Sequence, residues 1–127
     1  MDLIDDRRFR AACLVLWLAG WMITLWLSLR PAPSMPFGWS DKTWHAGGYA
    51  LMTTFAAFCC PSLRLFLGLA LLSVLAGAGI EGLQLLVPSR SFELLDMAAN
   101  ASGAMVGAGL GSLWFLLLAQ RQRPRPA

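Results

Sequence analysis

What this chain can fold into is constrained first by its long stretches without charge. Residues 11–29, 65–87 and 94–119 carry almost none, and residues 43–60 hold only His45 as a group that gains charge near neutrality. A helix crossing ~30 Å of hydrocarbon at ~1.5 Å per residue needs about 20 residues, and each stretch comes close to that length or exceeds it. A backbone inside a bilayer must satisfy its own polar groups, which leaves helices as the economical solution for runs of this kind. The expectation is an all-α polytopic membrane protein, one domain over residues 1–127. Four transmembrane helices, at about 11–29, 43–60, 64–87 and 94–119, pack as a compact antiparallel bundle, followed by a basic, disordered tail at 120–127.

Charge placement agrees with that class. Only 13% of the chain is charged and 57% is hydrophobic, against about a quarter charged in soluble domains. The ten basic residues lie at the ends of the runs and not along one face, which argues against nucleic acid as a partner. Arg7, Arg8, Arg10, Arg64, Arg121, Arg123 and Arg125 would share one side of the membrane, and Arg30, Lys42 and Arg90 the other. Lysine and arginine favour the cytoplasmic side, so both termini are expected in the cytoplasm. The first run is too long for the core of a cleaved signal peptide and is read as a retained span. Cys13, Cys59 and Cys60 sit inside apolar runs, with neither disulfide nor metal-ligand spacing.

Short connections should bring helices two, three and four together as antiparallel neighbours. The proline-rich loop at 31–39 ends before Ser40 or Asp41, either of which can cap the second helix. Pro61 and Ser62 fit a helix end followed by a capped start, Pro88 ends the third helix, and Ser91 is the expected cap of the fourth. Trp17 and Trp21, four residues apart, read as packing residues of the first helix.

The polar residues inside the runs are not scattered. At about 100° per residue, Gly77, Glu81 and Gln84 share one helical stripe, and Asp96, Asn100, Gly103, Gly107 and Gly111 share another. Glycine at every fourth position lets backbones approach closely, so these stripes should face other helices. Glu81 lies six residues before Val87, about 9 Å inside the expected helix end. Asp41, Lys42, His45 and Tyr49 begin the second helix on the same, outer side, and Lys42, Arg90 and His45 offer charge against Asp41, Glu81 and Asp96.

Taken together, DKxxHxxxY at 41–49, ExxQxxxPxR at 81–90 and DxxxNxxGxxxG at 96–107 resemble the signature of the VanZ-like family of small bacterial integral membrane proteins. The resemblance spans residues 41 to about 111. Ser89 stands where many members have glycine before the arginine, and the first helix and both tails carry no signature. The family's namesake is an accessory protein of glycopeptide-resistance clusters linked to teicoplanin resistance. The resemblance therefore implies the bacterial cytoplasmic membrane and the cell envelope.

Three classes of function fit these residues. In the first, Lys42, His45, Tyr49, Glu81, Gln84, Arg90, Asp96 and Asn100 line a polar pocket at the outer leaflet for an anionic lipid headgroup or a lipid-linked envelope precursor. Arginine's planar fork suits phosphate oxygens, and lysine adds a compact charge. In the second, the protein is an enzyme on a lipid phosphate, with His45, Glu81 and Asp96 as candidate catalytic groups. No nucleophile motif supports it, and one histidine excludes a two-histidine phosphatase or a histidine-rich metal site within one subunit. In the third, Glu81, Gln84, Asp96 and Asn100 form a buried network locking helix three to helix four. A transporter or proton relay is a further reading, since buried carboxylates can carry protons, but a full alternating-access carrier in one chain is disfavoured, because four spans show no inverted repeat. Neither metal nor cofactor is expected, and the glycine-rich faces offer a surface for a homodimer.

Overall fold

The computed structural model describes residues 7–30, 40–88 and 92–121. Among these the chain forms four helices and no strand: α1 (Arg7–Ser28), α2 (Asp41–Cys59), α3 (Leu63–Gln84) and α4 (Leu94–Arg121). The loop at 31–39, Arg90, the expected cap at Ser91 and the tail from residue 122 lie outside the described residues.

Local chemistry sets most of the boundaries. Ser40 accepts a hydrogen bond from the Thr43 amide at 3.2 Å, and Ser62 accepts from Leu65 at 3.4 Å, so both serines cap the helices they precede. The first turn of α4 begins on the Glu93 carbonyl, which accepts from the amides of Asp96 and Met97 at 3.0 and 3.2 Å. The end of α3 departs from expectation. The helix stops at Gln84, three residues before Val87, and the amides of Leu86 and Val87 turn back to Leu83 and Gln84, each at 3.0 Å. This tighter winding approaches Pro88, whose ring disfavours helical geometry in the residue before it. Glu81 consequently sits about 4.5 Å from the helix end, not 9 Å.

Three of the four helices, α1, α3 and α4, are long and apolar enough to cross a membrane. The exception is α2, whose first turns carry Asp41, Lys42 and His45. The packing accounts for its composition, because α2 touches all three other helices and shares its largest interface with α4. A helix enclosed in this way presents little of itself to lipid and has no need of apolar residues all round.

Contact order gives the relative directions. Lys42 meets Asp96, Ala46 meets Gly103 and Ala50 meets Gly107, so α2 and α4 run the same way. Phe66 meets Gly111 while Asn100 meets Glu81, so α3 runs opposite to α4. The expectation of antiparallel neighbours thus misses the main interface, which joins two parallel helices. Glycine makes it possible. A Cβ built on Gly103 would collide with the Ala46 carbonyl, and one on Gly107 would lie 2.6 Å from that of Ala50.

The apolar core lies toward the C-terminal end of α2, where Trp17, Ala56, Ala57, Cys60 and Phe66 pack together. Trp17 donates its indole N–H to the Met52 carbonyl at 3.0 Å and meets Trp21 edge-on at 6.0 Å. The other end of the bundle is polar.

Candidate functional site

The polar end is assembled from four helices, and its contacts form a chain across all of them. On α2, Lys42, His45 and Tyr49 follow at intervals of three and four residues and share a face. On α4, Asp96 and Asn100 stand one turn apart opposite that face. The Lys42 ammonium reaches Asp96 Oδ1 and Glu93 Oε2, both at 3.0 Å. One turn deeper, His45 Nδ1 lies 2.9 Å from Asn100 Oδ1. Asn100 then donates from Nδ2 to Glu81 Oε1 on α3 at a long 3.4 Å. Gln84 completes the series by donating to the Ser28 carbonyl of α1 at 3.1 Å.

This arrangement differs from two facing stripes on α3 and α4. Of the four residues expected to lock those helices together, only Glu81 and Asn100 bond each other. Asp96 turns to α2 and Gln84 to α1, so one contact reaches each neighbour in turn.

Burial divides the site into a rim and an interior. At the rim, the side chains of Lys42, Glu93 and Asp41 are 41%, 48% and 36% exposed. The interior holds Glu81, Gln84, Asn100 and Tyr49, all buried. His45 and Asp96 connect the two levels. Tyr49 lies furthest in, its ring over Gly77 and edge-on to Trp21 at 5.4 Å, and its hydroxyl is buried without a hydrogen-bond partner among the described residues. The structure therefore brings together two bonded sets, Lys42 with Asp96 and His45 with Asn100 and Glu81, ties Gln84 of α3 to α1 beside them, and leaves the Tyr49 hydroxyl beneath. Arg90 belongs to the segment outside the described residues.

Glu93 is the site residue that sequence reasoning passed over. It precedes the apolar pattern of α4 and looked like part of a turn, yet it stands three residues before Asp96, a spacing that places both on one helical face. Its inclusion changes the electrostatics. With Glu93, the described part of the site holds four carboxylates, Asp41, Glu81, Glu93 and Asp96, near the ammonium of Lys42, while Arg90, a cation of the expected balance, lies outside the described residues. Glu93 first, then Asp96, hold the Lys42 ammonium above its ordinary pKa, so it stays charged at any physiological pH.

Asp41 and His45, one turn apart on α2, approach at 3.6 Å between Oδ2 and Nε2, beyond hydrogen-bond length. Glu81 is wholly buried, forms no salt bridge among the described residues, and keeps Oε2 without a hydrogen-bond partner there. A buried carboxylate with a neutral partner is costly, and its retention asks for an explanation.

A family model described as VanZ/LLP1 matches residues 12–117, from the start of α1 through most of α4. No curated protein and no solved structure matches the chain.

Proposed function

The chain belongs to the VanZ-like family, and from that premise we propose that it is a multi-pass protein of the bacterial cytoplasmic membrane that binds the headgroup of an anionic lipid or lipid-linked envelope precursor. In this reading all four helices span the bilayer as an up-and-down bundle, both termini are cytoplasmic, and the polar end faces the outer leaflet. A part in glycopeptide (teicoplanin) resistance would follow from sequestering or presenting such a lipid.

One observation carries the reading: a half-exposed ammonium, pinned at 3.0 Å by two carboxylates, stands at the mouth of a polar chain at one end of a bundle with three long apolar helices. Pinning removes the entropy that a free lysine would lose on binding a phosphate. A second feature supports a lipid over a soluble anion. An apolar cleft of about 300 Å³ opens between α1 and α3, lined by Trp17, Leu18, Trp21, Leu25, Ala76 and Ile80, among others. Ile80 immediately precedes Glu81, so a lipid whose acyl chain lies in the cleft brings its head toward the polar end. Arg90 is the second phosphate ligand in this reading, and the buried tier of Glu81, Asn100 and Gln84 holds the helices that form the rim. Glycines facing open space, Gly68, Gly79 and Gly109, provide the faces for a homodimer, since Gly103, Gly107 and Gly111 are covered within the chain.

The test is native mass spectrometry of protein purified in mild detergent. Wild type is expected to retain an anionic lipid, and Lys42→Ala and Arg90→Ala to lose it while keeping helical content and melting temperature. Equal lipid retention in all three proteins overturns the proposal. An enzymatic reading draws on one contact, the approach of Asp41 to His45, and predicts a changed lipid-phosphate substrate that His45→Ala leaves intact.

A further inference from the structure

We propose that Asp41, His45 and Asp96 form a binding site for one divalent first-row transition ion. Each offers a ligand atom, and the three atoms lie within 4.8 Å of one another. Imidazole nitrogen and carboxylate oxygen bind such ions at ~2.0–2.2 Å, which sets two ligands of a tetrahedral ion ~3.5 Å apart, so side-chain shifts on the order of an ångström bring all three onto one centre. Two ligands come from one turn of α2 and the third from the parallel helix α4, whose spacing the Gly103 and Gly107 contacts fix.

The imidazole is already oriented for this role. Its Nδ1 faces Asn100 Oδ1 at 2.9 Å, an oxygen that can only accept, so Nδ1 is the donor of that contact and Nε2 is the nitrogen left to meet an ion. Nε2 is the nitrogen turned toward Asp41. Metal-binding histidines are commonly held through the opposite ring nitrogen in this manner. Lys42 takes Oδ1 of Asp96 and leaves the second oxygen for an ion.

Two further observations favour a cation here. Four carboxylates, Asp41, Glu81, Glu93 and Asp96, gather at this end of the bundle, and carboxylate oxygens suit a dipositive ion. Glu81 adds the more telling sign: fully buried, with Oε2 unpartnered among the described residues, it shares Asn100 with His45, one of the three ligands. A dipositive ion lessens the repulsion among the gathered carboxylates. Helix dipoles account for Asp41 and Asp96 separately, each in a first turn, but not for their convergence on one imidazole. The expectation of no metal came from counting histidines, and one histidine is enough when two carboxylates join it. Three protein ligands leave positions open. That a headgroup phosphate fills one of them rests on the lipid reading above.

The experiment uses the full chain in detergent, stripped with EDTA and titrated with Zn²⁺ and Mn²⁺ by calorimetry, with metal counted by mass spectrometry. The expected result is one ion per chain, with affinity at least tenfold weaker in Asp41→Asn, Asp96→Asn and His45→Ala. No saturable binding to wild type, or equal binding in all four proteins, overturns the site. If the variants unfold, Co²⁺ absorption of the wild-type protein decides: visible bands of an ion ligated by nitrogen and oxygen support the site, and the spectrum of aqueous Co²⁺ overturns it. Lipid retention read in the same samples separates the two proposals. Metal bound without any anionic lipid defeats the lipid reading and leaves the site. Lipid retained equally before and after EDTA, with metal shown to bind, removes the phosphate bridge and leaves both binding events.

Discussion

At the scale of single residues, Glu81 and Asn100 have opposite expected responses although they share one hydrogen bond. Glu81 pairs with a neutral amide, so Glu81→Gln keeps an acceptor for Asn100 and removes a buried charge with no salt-bridge partner among the described residues. The metal-free protein is therefore expected to melt at the same or a higher temperature after this change. Asn100→Leu removes the partner of both His45 and Glu81. Polar contacts between membrane helices average only ~0.6 kcal/mol, but leaving the buried Glu81 and the partly buried His45 without this partner raises the expected loss to ~1–3 kcal/mol. Thermal or denaturant unfolding in the same detergent checks both, and a destabilised Glu81→Gln would mean that its carboxylate has a partner as strong as a salt bridge. Individual residues were legible in the sequence where periodicity carried them: the 100° rule grouped Glu81 with Gln84 and Asp96 with Asn100. It gave no sign that Gln84 reaches the Ser28 carbonyl, since a backbone acceptor leaves no trace in residue identity.

At the scale of elements, the parallel α2–α4 pair depends on glycine at defined positions. A methyl group on Gly103 meets the Ala46 backbone, which cannot rotate away as a side chain would. Gly103→Ala is expected to cost ~1–3 kcal/mol, as overpacking does in a closed interface. Gly109, only six residues on, faces open space, and Gly109→Ala is expected to be neutral or to stabilise by up to ~1 kcal/mol through helix propensity. Melting temperatures of the two variants check the contrast, and equal effects would exclude close approach at Gly103. The glycine ladder was legible as a packed stripe, but its partner was not. Short connections pointed to α3, whereas α2 takes Gly103 and Gly107, and Phe66 of α3 takes only Gly111. Sequence spacing fixes which face of a helix is small; which neighbour fills it depends on how the whole set packs.

At the scale of the whole molecule, polarity and enclosure go together. The four long runs and their class could be read directly from the sequence, because a bilayer's thickness is a fixed length to match. That α2 belongs at the centre could not, since its composition alone resembles a half-polar helix. The contacts of Lys42 with Asp96 and of His45 with Asn100 and Glu81, with Gln84 reaching α1, make the polar end a product of all four helices at once. The central place of α2 has a consequence for biogenesis. A helix that opens with Asp41, Lys42 and His45 gains little from lipid by itself, so its residence in the bilayer depends on neighbours that leave the ribosome both before and after it. A chain ended at Ser62 is expected to insert α1 and to leave α2 open to added protease, whereas α2 of the full chain is protected. If α2 spans the bilayer as proposed, insertion is a late, collective event, completed only when α4 arrives to cover the helix that was synthesised two segments earlier.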